Sequence, residues 1–358
     1  MVTTNQEALS ERRIVVAVAA AIEPQWVAAI KGVDDRLDVR HEPQLVPPPR
    51  FLGDHRGSDG FQRPQDQEVR WWRMLAEAEV VLGVPGDTTQ CLADLVRTNT
   101  GLRWVQATAG GAAGLVRAAG LTAAELDRVQ ITGADVVHTG PLAEFAMFGL
   151  LAFAKQLPRL LSDSRWRHWE QYPMTELAGP TLLIVGLGPA GAEVARLGKA
   201  FGMHVLAVTR TGNGRAPDVD QLRPARVLGD LLPVSHSVVL ALTLTGKTKG
   251  LIGTEAFSRM RADAVLVNIG HGGVIDEKAL IKGLEHGQPA AAVLDAFAAE
   301  PLPPESALWS MPNVLLSPHT AAVSGRGNER LTAVFTANLR RYLDGDQLSG
   351  PVRSAPLF

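Results

Sequence analysis

Short, mainly apolar runs recur along the chain: Ile14–Val18, Val80–Gly83, Leu102–Ala107, Leu182–Val185, Val205–Val208, Ser237–Leu242, Ala264–Asn268, Ala291–Leu294 and Val314–Leu316. None alternates apolar with polar as a half-exposed strand does, so each reads as a strand buried on both faces. Between them lie stretches of helical character: one near Pro24 to Lys31, one from about Pro141 to Leu160 and a last one from roughly Gly325 to Leu343. Pro141 suits a helix start, where a fixed φ helps and a missing N–H costs no hydrogen bond. Strand and helix alternating in this way predicts an α/β protein whose doubly wound parallel sheets are covered by helices. Pro47-Pro48-Pro49 to Asp66 is rich in proline, glycine and charge and is expected to be a loop.

One unit carries a motif. The run Leu182–Val185 enters Gly186-Leu187-Gly188-Pro189-Ala190-Gly191, then a helical stretch to Phe201, then the run Val205–Val208. In a strand–turn–helix–strand setting the first glycine permits the tight turn, the second lets a pyrophosphate approach the backbone, and the third lets helix and strand pack closely. The anion then sits on a helix N-terminus. Pro189 lacks an N–H, which leaves Ala190 as the nearer donor. At the tip of the second strand, where a carboxylate would bind the ribose hydroxyls of NAD, the chain reads Thr209-Arg210-Thr211-Gly212-Asn213. An arginine and two hydroxyls suit a 2′-phosphate, so NADP is favoured over NAD.

Composition narrows the setting. A chain of 358 residues, 46% of them apolar, is long enough for two domains. A formal net charge of −2 offers no basic field for nucleic acid or anionic membrane. Cys91 is the only cysteine, so there is no internal disulfide and no cysteine metal cluster. Ile14 to Ile22 is apolar but too short to cross a bilayer, and a cytoplasmic protein without membrane partners is expected. Trp166 and Trp169, interleaved with Arg165, Arg167 and His168, read as an amphipathic helix or a dimer arm rather than a nucleic-acid patch.

From about Val80 to Leu343 the segments Leu102-Arg103-Trp104-Val105-Gln106, the glycine motif, Gly250-Leu251-Ile252-Gly253, Leu266-Val267-Asn268, Gly272-Gly273-Val274-Ile275-Asp276-Glu277, Leu294-Asp295-Ala296-Phe297, Glu300-Pro301-Leu302-Pro303 and Ser317-Pro318-His319 follow one another in the order of a known family. The chain resembles the D-isomer-specific 2-hydroxyacid dehydrogenases and is similar to their glyoxylate/hydroxypyruvate reductases. The resemblance implies two Rossmann-like or flavodoxin-like domains with an interdomain active-site cleft: a substrate domain of residues 1–138 plus 319–358, and an inserted dinucleotide domain of 139–318. It also implies a homodimer and a small 2-oxoacid or 2-hydroxyacid substrate.

The same resemblance assigns roles. His319 matches the general acid that protonates the carbonyl oxygen as hydride arrives, a task an imidazole suits at neutral pH. Glu300 matches the carboxylate that pairs with it and orients it. Asp295 matches a contact to the nicotinamide carboxamide, with a helix N-cap as the plainer role. Thr108-Ala109-Gly110 matches the loop whose N–H groups receive the substrate carboxylate. The departure is at the family's substrate-binding arginine: Asn268-Ile269-Gly270-His271-Gly272 puts histidine there. Histidine is shorter, lacks the planar fork of arginine and is charged only when protonated. Three outcomes are open: His271 binds substrate as the imidazolium, so that activity falls with rising pH; the enzyme takes a carbonyl without a neighbouring carboxylate; or catalysis is feeble and cofactor binding survives. The expected activity is NAD(P)H-dependent reduction of a 2-oxoacid to a D-2-hydroxyacid, and the rival is an NADP(H)-sensing, corepressor-like binding protein. No metal site is expected.

Overall fold

The computed structural model describes residues 12–58 and 60–352. They form two compact units, one of residues 12–138 and 323–352, the other of 139–322. Each is a doubly wound parallel sheet.

In the first unit the strands β1 (Ile14–Val18), β2 (Leu37–Arg40), β3 (Val80–Leu82), β4 (Trp104–Gln106) and β5 (Gln130–Thr132) lie in the order β2-β1-β3-β4-β5, all parallel. Alternate residues feed two cores. Val16, Val18, Val80, Leu82 and Trp104 face one side, with Leu331, Phe335 and Leu339 of the helix Gly327–Asp344. Ala17, Val81, Val105 and Ile131 face the other, with Trp71, Leu75, Leu92 and Leu95. Two covered faces explain why β1 and β3 read as unbroken apolar runs. Trp104 is fully buried, stacks on Phe335 at 4.9 Å and satisfies its indole N–H on Thr132 Oγ1 at 2.8 Å. Burying a ring such as Phe335 contributes about 2–3 kcal/mol.

The second unit holds β6 (Thr181–Val185), β7 (His204–Thr209), β8 (Gln221–Pro224), β9 (Ser237–Leu240), β10 (Val265–Asn268), β11 (Ala291–Leu294) and β12 (Val314–Leu316), in the order β12-β11-β10-β9-β6-β7-β8. Leu183, Val185, Val238, Leu240 and Leu266 pack on one face, and Leu182, Ile184, Val239, Val267 and Val293 on the other. The order reverses between β6 and β9, where Val185 is level with Leu240. The crevice beyond the carboxyl ends of two such strands is where open α/β sheets take ligands.

Several details differ from the sequence reading. Three strands were not anticipated: β2, β5 and β8, with sequences LDVR, QIT and QLRP. They are short, polar strands at sheet edges, and an edge does not impose an apolar pattern. The helix expected from Pro141 begins earlier, at Asp135, and stops at Ala154, with a separate helix over Leu157–Trp166. The break falls where Gln156 takes a left-handed φ of 52°. Helix Asp135–Ala154 is long and apolar enough to cross a membrane by composition alone, and its Ala143, Ala146, Met147 and Leu150 are buried in the core of the second unit. Residues 319–322 pack with the second unit rather than the first.

Candidate active site

The glycine turn closes β6. Gly186 sits at φ 101°, and a Cβ there would lie 2.6 Å from the carbonyl oxygen of Ala241, which follows β9. A Cβ on Gly191 would lie 2.1 Å from the carbonyl oxygen of Gly186. Both positions therefore exclude any side chain. Gly188, by contrast, has nothing within 4 Å of its Cβ position, so its backbone is open to a close neighbour. It also caps helix Pro189–Ala200 without any side-chain hydrogen bond, which leaves the first N–H groups, Ala190 among them, for an anion. These residues fit a pyrophosphate. At the end of β7, Thr209 Oγ1 accepts from Gly212 N (3.0 Å) and Thr211 Oγ1 from Asn213 N (3.4 Å), shaping a turn on which Arg210 is exposed and has no ion-pair partner among the described residues.

His319, Glu300 and His271 line one cavity of about 800 Å3 in the second unit. His319 follows β12 in a left-handed conformation, φ 53°, with its N–H donated to the carbonyl of Ser317. Its Nδ1 lies 2.8 Å from Glu300 Oε2. A carboxylate accepts, so Nδ1 carries the hydrogen and Nε2 is the atom that exchanges a proton with a ligand. Glu300 is steadied in turn, because its Oε1 accepts from Phe297 N at 3.0 Å. The imidazole is about half exposed and so reachable by a substrate.

Asp295 does what the sequence did not suggest. It is buried, caps no helix, and its Oδ1 accepts from Ser317 Oγ (2.6 Å), Thr320 N (2.9 Å) and Ala321 N (2.9 Å). One carboxylate oxygen at the end of β11 thereby grips the turn on both sides of His319. Ser317 stands two residues before the histidine in the motif already singled out, and this was the available signal.

His271 opens the tight turn Gly272–Val274 after β10. Its surroundings are close: a Cβ on Gly270 would fall 2.6 Å from Leu242 O, and one on Gly272 2.0 Å from the backbone of Phe297. Asn268 closes the turn, with Oδ1 accepting from Gly270 N (3.0 Å) and Nδ2 donating to His271 O (3.3 Å). The ring is held by Nδ1, 3.2 Å from Leu242 O.

Thr108, Ala109 and Gly110 lie in the first unit, in the loop after β4. Their N–H groups make no hydrogen bond among the described residues, and the buried Thr108 Oγ1 is likewise without a partner. The next N–H, of Gly111, is given to Asp135 Oδ1 at 2.8 Å.

The family model described as D-isomer specific 2-hydroxyacid dehydrogenase, NAD binding domain, matches residues 146–321. The glyoxylate reductase of Aeropyrum pernix is 36% identical over 228 residues, 61% of this chain and 67% of the relative; that of Thermococcus gammatolerans is 36% identical over 229 residues with the same two shares. This chain belongs to the D-isomer-specific 2-hydroxyacid dehydrogenase family. The solved structure of a family member from Aeromonas salmonicida superposes with a TM-score of 0.76 at 26% identity, over 97% of this chain and all of that one. A member from Xanthobacter autotrophicus, solved in complex with NADPH and MES, gives 0.75 at 26% over the same shares. This 2-hydroxyacid dehydrogenase is thus an oxidoreductase, and its second unit contains the family's NAD-binding domain.

Proposed function

We propose that the enzyme reduces a small 2-oxoacid to the D-2-hydroxyacid with NADPH, and that His319 is its acid. The observation that carries this reading is the His319–Glu300 pair, anchored at one end by Phe297 N–H and at the other by the Asp295-held turn. A dinucleotide sensor has no need of an imidazole fixed in this way. When bound, NADPH supplies the hydride. His319 Nε2 gives its proton to the carbonyl oxygen, while Nδ1–H stays on Glu300, whose charge balances the imidazolium. In the reverse direction the same nitrogen takes the proton back.

Gly186, Gly188, Pro189, Ala190 and Gly191 form the pyrophosphate seat, and Thr209, Arg210 and Thr211 the 2′-phosphate seat. The Xanthobacter protein's NADPH is consistent with that choice. Thr108, Ala109 and Gly110 offer unpaired N–H groups to the substrate carboxylate. The protein pairs as a homodimer through helix Leu157–Trp166 and the segment after it, where Leu161 (63%), Trp166 (74%) and Trp169 (94%) are exposed.

The test is NADPH oxidation with glyoxylate, hydroxypyruvate, pyruvate and a branched 2-oxoacid, with NADH in parallel. Turnover that prefers NADPH supports the assignment. NADPH binding without turnover on any of them would replace it by the sensor, whose supporting feature is the histidine at 271.

A further inference from the structure

The hydrogen bond of His271 restricts what that histidine can do. Leu242 O only accepts, so the ring nitrogen facing it, Nδ1, carries the hydrogen. In the neutral imidazole Nε2 is then a bare lone pair, which repels a carboxylate rather than binding it. A substrate with a carboxylate beside its carbonyl needs a cation from elsewhere in the cavity.

Two lysines line that cavity, Lys249 and Lys278, and neither has an ion pair or a side-chain hydrogen bond among the described residues. The acids around them are tied down. Asp276 Oδ1 accepts from Ala279 N (3.1 Å), Glu277 Oε2 from Ala298 N (3.2 Å), and Glu300 is shared by Phe297 N and His319. Lys278 rides on the first turn of helix Glu277–Glu285, where the helix dipole disfavours a cation. Lys249 has the firmer seat. Buried Thr248 accepts from Thr245 N (2.8 Å) and donates to Thr243 O (2.8 Å), and Lys249 N donates to Thr245 O (3.0 Å). The loop is then stitched to the turn of His271 at both ends, by Leu242 O to His271 Nδ1 and by Gly250 N to Gly273 O at 2.9 Å.

We propose that Lys249 is the fixed cation that binds the substrate carboxylate, in place of the arginine that His271 replaces. This rests on the reading of the protein as a 2-oxoacid reductase. An ammonium on a lysine keeps its charge far above neutral pH, so it can serve where a histidine would be neutral.

The experiment measures glyoxylate kinetics with NADPH from pH 6.5 to 9 for the wild type and for Lys249→Met, Lys249→Arg, Lys278→Met and His271→Gln, with oxalate affinity of the NADP-loaded protein measured by calorimetry. Expected is a rise in KM and in oxalate Kd of about tenfold or more in Lys249→Met with kcat changed little, as for loss of uniform binding. Lys249→Arg should restore both constants, Lys278→Met should leave them alone, and the wild-type KM should stay flat across the pH range. An unchanged KM and oxalate Kd in Lys249→Met overturns the proposal. So does a wild-type KM that climbs about tenfold per pH unit, which would return the role to a protonated His271. If the wild type turns over no 2-oxoacid, the reductase reading fails, while oxalate binding still decides on Lys249.

Discussion

Two turns beyond the carboxyl ends of β12 and β10, the strands on either side of β11, are built to different standards, one carrying His319 and the other His271. Around His319 the side chain is over-determined: Glu300 holds the ring, Phe297 N–H holds Glu300, and Asp295 clasps the Ser317 hydroxyl before it and two backbone N–H groups after it. Around His271 it is the backbone that is over-determined, caged by Gly270, Gly272 and Asn268, while the ring has a single contact of 3.2 Å. Proton transfer tolerates little misplacement, and a side chain fixed in this way suits the role proposed for His319. Charge attraction acts over a longer range, so a cation proposed to bind substrate can stand on a neighbouring loop while the turn keeps its fold.

The contrast is sharpest at His319, the proposed acid. His319→Gln should lower kcat for glyoxylate by about 10²- to 10⁴-fold with the melting temperature unchanged, as checked by steady-state kinetics beside a thermal scan. Asp295→Ala comes next. It strands the buried Ser317 Oγ and Ala321 N–H and the half-buried N–H of Thr320, so a loss of about 3 kcal/mol is expected in urea unfolding, together with a fall in kcat of roughly ten- to a hundredfold as the turn loosens. For the other turn the damage should come through the backbone. Gly272→Ala forces a methyl onto Phe297 and should cost about 3 kcal/mol in the same unfolding measurement. Changing the side chain alone should matter least: His271→Gln is expected to move the glyoxylate KM by no more than about threefold. A collapse of activity in His271→Gln, or none in His319→Gln, would break the distinction between the two turns.

The sequence shows these two turns unequally. The apolar runs named nine of the twelve strands among the described residues, because a strand covered on both faces is mostly apolar; β2, β5 and β8 escaped because edge strands carry no such demand. The pairing of His319 with Glu300 was legible through the family motif. The grip of Asp295 on Thr320 and Ala321 was not, since backbone N–H groups leave no trace in residue identity. Lys249 was invisible for a related reason. Its place beside His271 depends on a threonine-pinned loop folding back onto a turn more than twenty residues later, and no local pattern encodes that return.

The clasp of Asp295 has a mechanical side. Past Ala321 and Ala322 the chain leaves the second unit for Val323 in the first. Any tug travelling back along that strand of backbone meets Ala321 and Thr320 before it meets His319, and both are moored to a carboxylate at the end of a core strand. Asp295 works as a mooring post: the last turn of the second unit is tied to the end of a core strand just before the chain passes into the first.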